Sequence, residues 1–244
     1  MKIFSIAEIG SNWEGSLTTG KKIIKKCKDA GADAVKFQMW RAEDLYPSHP
    51  LLKQIKKTEL TPKTAAKFKK FADEMDIDFF CSVFYPDAVD FLESLEIKQY
   101  KIASRTCILK DPLSLETLSA VNKTRKPVIV SMGMGGNRKF IEKTLSKNKT
   151  TFCYCISDYP LQIEKMNWKN ALKYTGLSDH TLGISVPILF SGFMKLHHQK
   201  KIIIEKHVKL TDSKSLDAST SLDISQFKLM NQSLRSIEKI KNFS

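Results

Sequence analysis

Two lysines, four serines and two histidines carry most of the chemistry legible in the 244-residue sequence. Lys36 and Lys101, with Ser82, Ser104, Ser131 and Ser157, combine fixed positive charge with short hydroxyl donors, the inventory of a site for a phosphate and a carboxylate. Either lysine could instead form a Schiff base, as in barrel aldolases. His180 and His207 offer neutral imidazole nitrogens, common ligands of transition metals. Asp179 and Glu205 stand beside them and could orient the rings or add an oxygen ligand. Glu8, Asn12, Gln38 and Tyr159 complete the set of polar groups at comparable positions. His197 and His198, on a lysine-rich helix end, are expected to face solvent.

What places these groups is a repeating pattern of elements. Apolar runs of strand length fall at 3–10, 33–40, 78–84, 99–105, 127–133, 151–157, 176–180 and 201–207. Helical periodicity occupies 16–30, 62–75, 86–96, 112–124, 137–147, 165–174, 186–199 and 225–242. Thr61 before Pro62 and Asp111 before Pro112 each place a capping oxygen ahead of a proline at the first helical position. Eight strands alternating with eight helices predict a parallel sheet, and this length suits a closed (β/α)8 TIM barrel forming one domain over 1–244. An open doubly wound sheet is the structural alternative, but the first strand-to-helix turn has no G-x-G-x-x-G phosphate loop.

Barrel active sites lie at the C-terminal ends of the strands, and every candidate strand here ends in polar groups. The last is the sharpest case. In KIIIEKHVKL (201–210) three isoleucines run into Glu205, Lys206 and His207, and charges are costly to bury without partners. Strand alternation puts Glu205 and His207 on one side and Lys206 on the other.

The formal charge is +14, carried mostly by lysines on helix faces such as KKIIKKCKDAG, and it reads as solvated surface. Arginines interleaved with aromatics are missing, as is any nucleic-acid-reading motif, so nucleic acid is not an expected partner. The N-terminus lacks the length and cleavage pattern of a signal peptide, and no run approaches a membrane span. Five cysteines, mostly inside apolar segments and without a C-x-x-C pair, are expected to be reduced core thiols of a cytoplasmic protein.

AEIGSNWEGS, AGADAVKFQ, KIAS, KPVIVSMGM, YP, LSDHTLG and EKHVKL, in this order, resemble the sialic acid synthase family, the phosphoenolpyruvate-dependent N-acylneuraminate synthases. The likeness runs from about residue 5 to about residue 235. It implies a barrel enzyme that condenses phosphoenolpyruvate with an open-chain N-acylmannosamine or related amino sugar, using a divalent metal: manganese, with magnesium or cobalt as alternatives. By position, Lys36, Ser82, Lys101, Ser104, Ser131 and Ser157 would hold phosphoenolpyruvate, and His180 and His207 the metal. Gln38 and Tyr159 would face the sugar, while Glu8 and Asp217 match acids near the sugar and the attacking water. A homodimer is also implied.

The resemblance has departures. Asn12-Trp13 stands where the family has Asn-His, Arg105-Thr106 where it has Gly-Glu, and Asp217-Ala218 where it has Asp-His. Arg105 adds a cation that could pair with a more acidic substrate. Typical members continue beyond the eighth helix into a small antifreeze-protein-like domain, which covers the partner's site and gives an arginine to the sugar; this sequence reaches Ser244. The expectation is a barrel lacking that domain, with a separate lid subunit, a substituting Arg105, or a changed activity. Beside synthesis of a sialic-acid-like nonulosonic acid stand two alternatives: a degenerate barrel that binds phosphoenolpyruvate and metal as a partner subunit, and a different barrel aldolase.

Overall fold

The computed structural model describes residues 1–241. Its elements run β1 (Lys2–Glu8), α1 (Leu17–Asp29), β2 (Ala34–Met39), α2 (Ala42–Leu45), α3 (Leu52–Lys57), α4 (Pro62–Glu74), β3 (Asp78–Val83), α5 (Pro86–Ser94), β4 (Tyr100–Ile102), α6 (Ser104–Cys107) and α7 (Ser114–Thr124). The second half continues with β5 (Val128–Ser131), α8 (Arg138–Thr144), β6 (Thr150–Tyr154), α9 (Trp168–Ala171), β7 (Gly176–Asp179), α10 (Ser185–Leu196), β8 (Lys201–Lys209), β9 (Leu222–Asp223) and α11 (Ile224–Lys239). Each of the first eight strands pairs in parallel with the next, and β1 pairs with β8 from Lys2↔Lys201 to Glu8↔His207. That last ladder closes the sheet, so the open alternative is excluded and the fold is a (β/α)8 barrel. The short β9 extends β8 through Val208↔Leu222.

The helices lie where their apolar spacing requires. α1 buries Ile23, Ile24 and Cys27 on one face, and Ser16 caps it by accepting from the Thr19 N–H. Thr61 caps α4 with Pro62 in the first turn, as expected. Gly20 packs against the Phe68 ring with no room for a side chain, and Phe68 stacks on Phe37 at 4.7 Å. Trp13 meets the same ring edge-on at 5.5 Å and is buried between barrel and helices. The lysines at 22, 25, 26, 63, 67 and 70 are exposed, which fits solvated helix faces. All five cysteines are free and buried. No described helix is long and apolar enough to cross a membrane.

Some expectations need correction. Asp111 does not cap α7, whose N-cap is Leu113 without a side-chain bond; the Asp111 carboxylate is held instead by Arg105. The helix expected over 165–174 shortens to α9, preceded by a 3-10 turn at Ile163–Lys165. The segment between β2 and α4 had no helix assigned, yet it folds into α2 and α3. These make a small separate core of Trp40, Ala42, Leu45, Ile55 and Phe84 over the barrel mouth.

Candidate active site

Two glutamates and two lysines from β1, β2, β4 and β8 meet inside the barrel, all but inaccessible to solvent. Lys36 forms a close ion pair with Glu8, donates to Ser82 Oγ at 2.9 Å and lies 3.9 Å from Glu205. Lys101 donates to Glu205 Oε1 at 2.8 Å, and so does the Ser178 hydroxyl. Gln38 donates its amide to Glu8 Oε1 at 2.7 Å. Both lysines therefore have carboxylate partners of their own, which sequence reasoning missed because Glu8 and Glu205 reach them across strands.

The two carboxyls differ. Burial pushes both up, but at Glu205 the charges of Lys101 and Lys36, with the hydrogen bonds from Lys101 and Ser178, outweigh it and bring the group down to about 2. At Glu8 burial prevails over Lys36, and Glu205 adds to the rise, so this carboxyl titrates above the usual range. One is a fixed counter-ion, and the other is poised to exchange a proton.

Beside them lies a hydroxyl cradle. Ser104 Oγ accepts the Gly133 N–H at 2.8 Å. Ser131 Oγ and Ser157 Oγ are buried without a hydrogen-bond partner among the described residues. A Cβ at Gly133 would sit 2.7 Å from Ser157 Oγ, 2.8 Å from Cys155 Sγ and 3.0 Å from Ser104 Oγ, so only glycine keeps this corner open. Buried hydroxyls without partners are rare and point to a ligand that supplies acceptors.

His180 directly follows β7 and His207 lies near the C-terminal end of β8, with ring centroids 5.5 Å apart, and Tyr159 lies over His180 at 4.2 Å. His180 Nδ1 faces the Ile156 carbonyl at 2.8 Å, which places its proton there and leaves Nε2 as the free lone pair. His207 Nδ1 is buried without a partner, and burial, helped by His180 and Lys36, holds this ring down to about 3 against the pull of Asp217. At His180 burial is outweighed by Cys155 and the Ile156 carbonyl, which raise this ring, so a metal would have to take the place of a proton there. With that proton displaced, the two imidazoles fit a divalent transition ion whose remaining positions take oxygen ligands. No group of three or more His, Cys, Asp or Glu side chains arranged for a metal occurs among the described residues.

The flanking acids do not serve the rings. Glu205 is bound to Lys101, and Asp179 points out of the barrel, where it takes Lys206 Nζ at 2.6 Å. Two departures noted in the sequence also resolve. Trp13 packs in the core rather than toward the barrel interior, and Thr106 is buried away from the cavity lining. Arg105 lines the cavity with its guanidinium already held by Asp111.

A cavity of about 420 Å³ opens over the histidines, lined by Gln38, Ser104, Arg105, Ser157, Tyr159, His207 and Asp217 among others. Glu8, Lys36, Ser82, Lys101, Ser131 and His180 are not in that lining; all six are buried. Asp217 accepts from the Ser11 N–H and hydroxyl, each at 2.7 Å, which ties the loop after β8 to the turn after β1. The opposite wall of Trp40, Leu45, Tyr46 and Phe84 was not anticipated. A usable signal existed, since Trp40 and Phe84 each directly follow a strand.

A family model described as the NeuB family matches residues 23–243. An uncharacterized protein of Methanocaldococcus jannaschii is 33% identical over 97% of this chain and 71% of its own length. A pseudaminic acid synthase of Campylobacter jejuni is 30% identical over 97% of this chain and 74% of its own. Among solved structures, the N-acetylneuraminic acid synthetase of Leptospira borgpetersenii serovar Hardjo-bovis, in complex with citrate, shares the fold with a TM-score of 0.84 at 24% identity, covering all (100%) of this chain and 87% of that one.

Proposed function

The chain belongs to the NeuB family, and on that premise we propose that it condenses phosphoenolpyruvate with the open-chain aldehyde of an N-acylated amino sugar, giving a nonulosonic acid and phosphate. The observation that carries this reading is the hydroxyl cradle: Ser131 and Ser157 hold buried donors without partners around Gly133, as a phosphoryl group would require.

In this reading Ser104, Ser131 and Ser157 donate to the phosphate oxygens, while Lys36 and Lys101 supply positive charge from fixed positions. A divalent ion held by His180 and His207 would supply Lewis-acid polarisation of a carbonyl oxygen. Gln38 orients Glu8 through the bond to Oε1, and the raised Glu8 carboxyl takes the proton of the water that adds at C2 of the former phosphoenolpyruvate. Tyr159 and Asp217 face the sugar, Asp217 accepting from its hydroxyls. Collapse of the tetrahedral centre at C2 then expels phosphate.

The test is phosphate release from phosphoenolpyruvate with manganese and a panel of N-acyl amino sugars. Release is expected only when sugar and metal are both present, and His207→Ala is expected to reduce it to background. A folded, metal-loaded enzyme silent on the whole panel would sink the reading. Binding of phosphoenolpyruvate and manganese without release would favour the partner-subunit alternative, for which the prior pairing of both lysines is the supporting observation.

A further inference from the structure

The two histidine rings are not anchored alike. His207 lies within β8, whose ladder with β1 reaches the pair Glu8↔His207. His180 follows the last residue of β7, and the β7–β8 ladder ends at Asp179↔Lys206, one residue short of it. Bonds other than strand pairing must therefore fix one ring against the other.

They come from the outer face of the barrel. Lys206 crosses from β8 to β7 and gives its ammonium to Asp179 Oδ2 at 2.6 Å and to the Thr181 carbonyl. These two residues flank His180 in the chain. Asp179 also accepts the Thr181 N–H at 3.1 Å and its hydroxyl at 3.0 Å, which closes a turn around His180. The His180 carbonyl in turn accepts the Leu161 N–H and the Thr220 hydroxyl, each at 2.9 Å. Lys206, Asp179, Thr181 and Thr220 are all buried, a dry setting in which such bonds are strong and directional. None of the four lines the cavity over the histidines.

Two imidazole nitrogens share one ion only if both come within about 2.1 Å of a common point, with a tolerance of roughly 0.2 Å. A small shift of the backbone at 180 against β8 is then felt as lost affinity. We propose that Lys206, Asp179, Thr181 and Thr220 are positioning residues: from the outer face they hold the backbone at His180 against β8 and so set the metal affinity of the His180–His207 pair. The inference rests on the reading of these two rings as the metal site.

An apolar exchange separates positioning from support of the fold. Lys206→Met combined with Asp179→Leu replaces the ion pair by side chains that fill the space, so much of the stability lost in Lys206→Met returns while the bonds around His180 do not. Mn2+ alone would be titrated into each protein, followed by the electron paramagnetic resonance signal of the free ion, beside urea unfolding. The double variant is expected to bind Mn2+ about ten-fold or more weakly than wild type despite its recovered stability. Thr220→Val removes one buried bond to the His180 carbonyl without touching the ion pair, and is expected to weaken Mn2+ several-fold. Phosphoenolpyruvate binding without metal should be unchanged in both, because Ser104, Ser131 and Ser157 come from the β4–β6 side of the barrel. Wild-type Mn2+ affinity in both variants, or an equal loss of phosphoenolpyruvate binding, would overturn the proposal. If His207→Ala binds Mn2+ as tightly as wild type, the metal reading itself falls and takes the proposal with it, an outcome distinct from a failure of the four positioning residues.

Discussion

Strands β7 and β8 carry a buried ionic network on each face, and the two are finished to different degrees. On the outer face Lys206 gives its ammonium to Asp179 and to the Thr181 carbonyl, and Asp179 also accepts the Thr181 N–H and hydroxyl at 3.1 and 3.0 Å. On the inner face, one residue along each strand, Ser178 and Glu205 join Lys101, Lys36 and Glu8. There the Oε2 atom of Glu205, the hydroxyls of Ser131 and Ser157, and His207 Nδ1 have no hydrogen-bond partner among the described residues. A saturated network holds two strands together, whereas an unsaturated one at the same depth is shaped for something it does not itself contain.

The outer pair gives the largest expected effect. Lys206→Met leaves Asp179 charged and unpaired, and should cost about 3–5 kcal/mol in urea unfolding; adding Asp179→Leu should restore much of it. A Lys206→Met protein of unchanged stability would break the contrast. The cradle should behave oppositely. Ser131→Ala and Ser157→Ala remove hydroxyls that the free protein leaves unbonded, so stability should change by no more than about 0.5 kcal/mol. Phosphoenolpyruvate binding, read by titration, should weaken by about 1.5–3 kcal/mol, ten-fold or more. Loss of stability without loss of affinity would make the cradle a structural feature like the outer pair.

The smallest effect is expected outside both networks. Asp223 caps α11 by accepting the Gln226 N–H at 2.9 Å, in a reciprocal box with the Gln226 side chain. Asp223→Ala should cost about 0.5–2 kcal/mol and leave turnover alone. Hydrogen bonds from Ser225 and the Gln226 backbone hold the Asp223 carboxyl below its usual range. The cap's contribution is thus complete above the unfolded value of about 4 and is lost as pH falls through the lower folded value. The difference between variant and wild type should shrink in acid over that window.

Much of this frame is legible in the sequence because it depends on local periodicity. Eight apolar runs became eight barrel strands, and alternation put Glu205 and Lys206 on opposite sides; the fold shows which is which, with Glu205 inside and Lys206 outside. Pairings between distant elements were not legible. Nothing near Lys36 or Lys101 announces that each meets a glutamate from another strand, and nothing around Asp111 shows that Arg105 will claim its carboxylate from the helix cap. The α2–α3 segment escaped notice because its helices are only 4 and 6 residues long, too short for a 3.6-residue period to register. The site's residue types could thus be read early, but how its charges are neutralised required the fold.

The tie between Ser11 and Asp217 joins residues 206 positions apart, and with it one wall of the cavity depends on the seam where β1 meets β8. A molecule that touches Gln38 and Asp217 at once recognises only a chain whose ring has shut. Its binding therefore draws the whole population toward the shut form by mass action, in proportion to the logarithm of its concentration. Substrate supply would then act as a fold stabiliser, and a rise in melting temperature with added sugar would report on the seam as well as on the pocket.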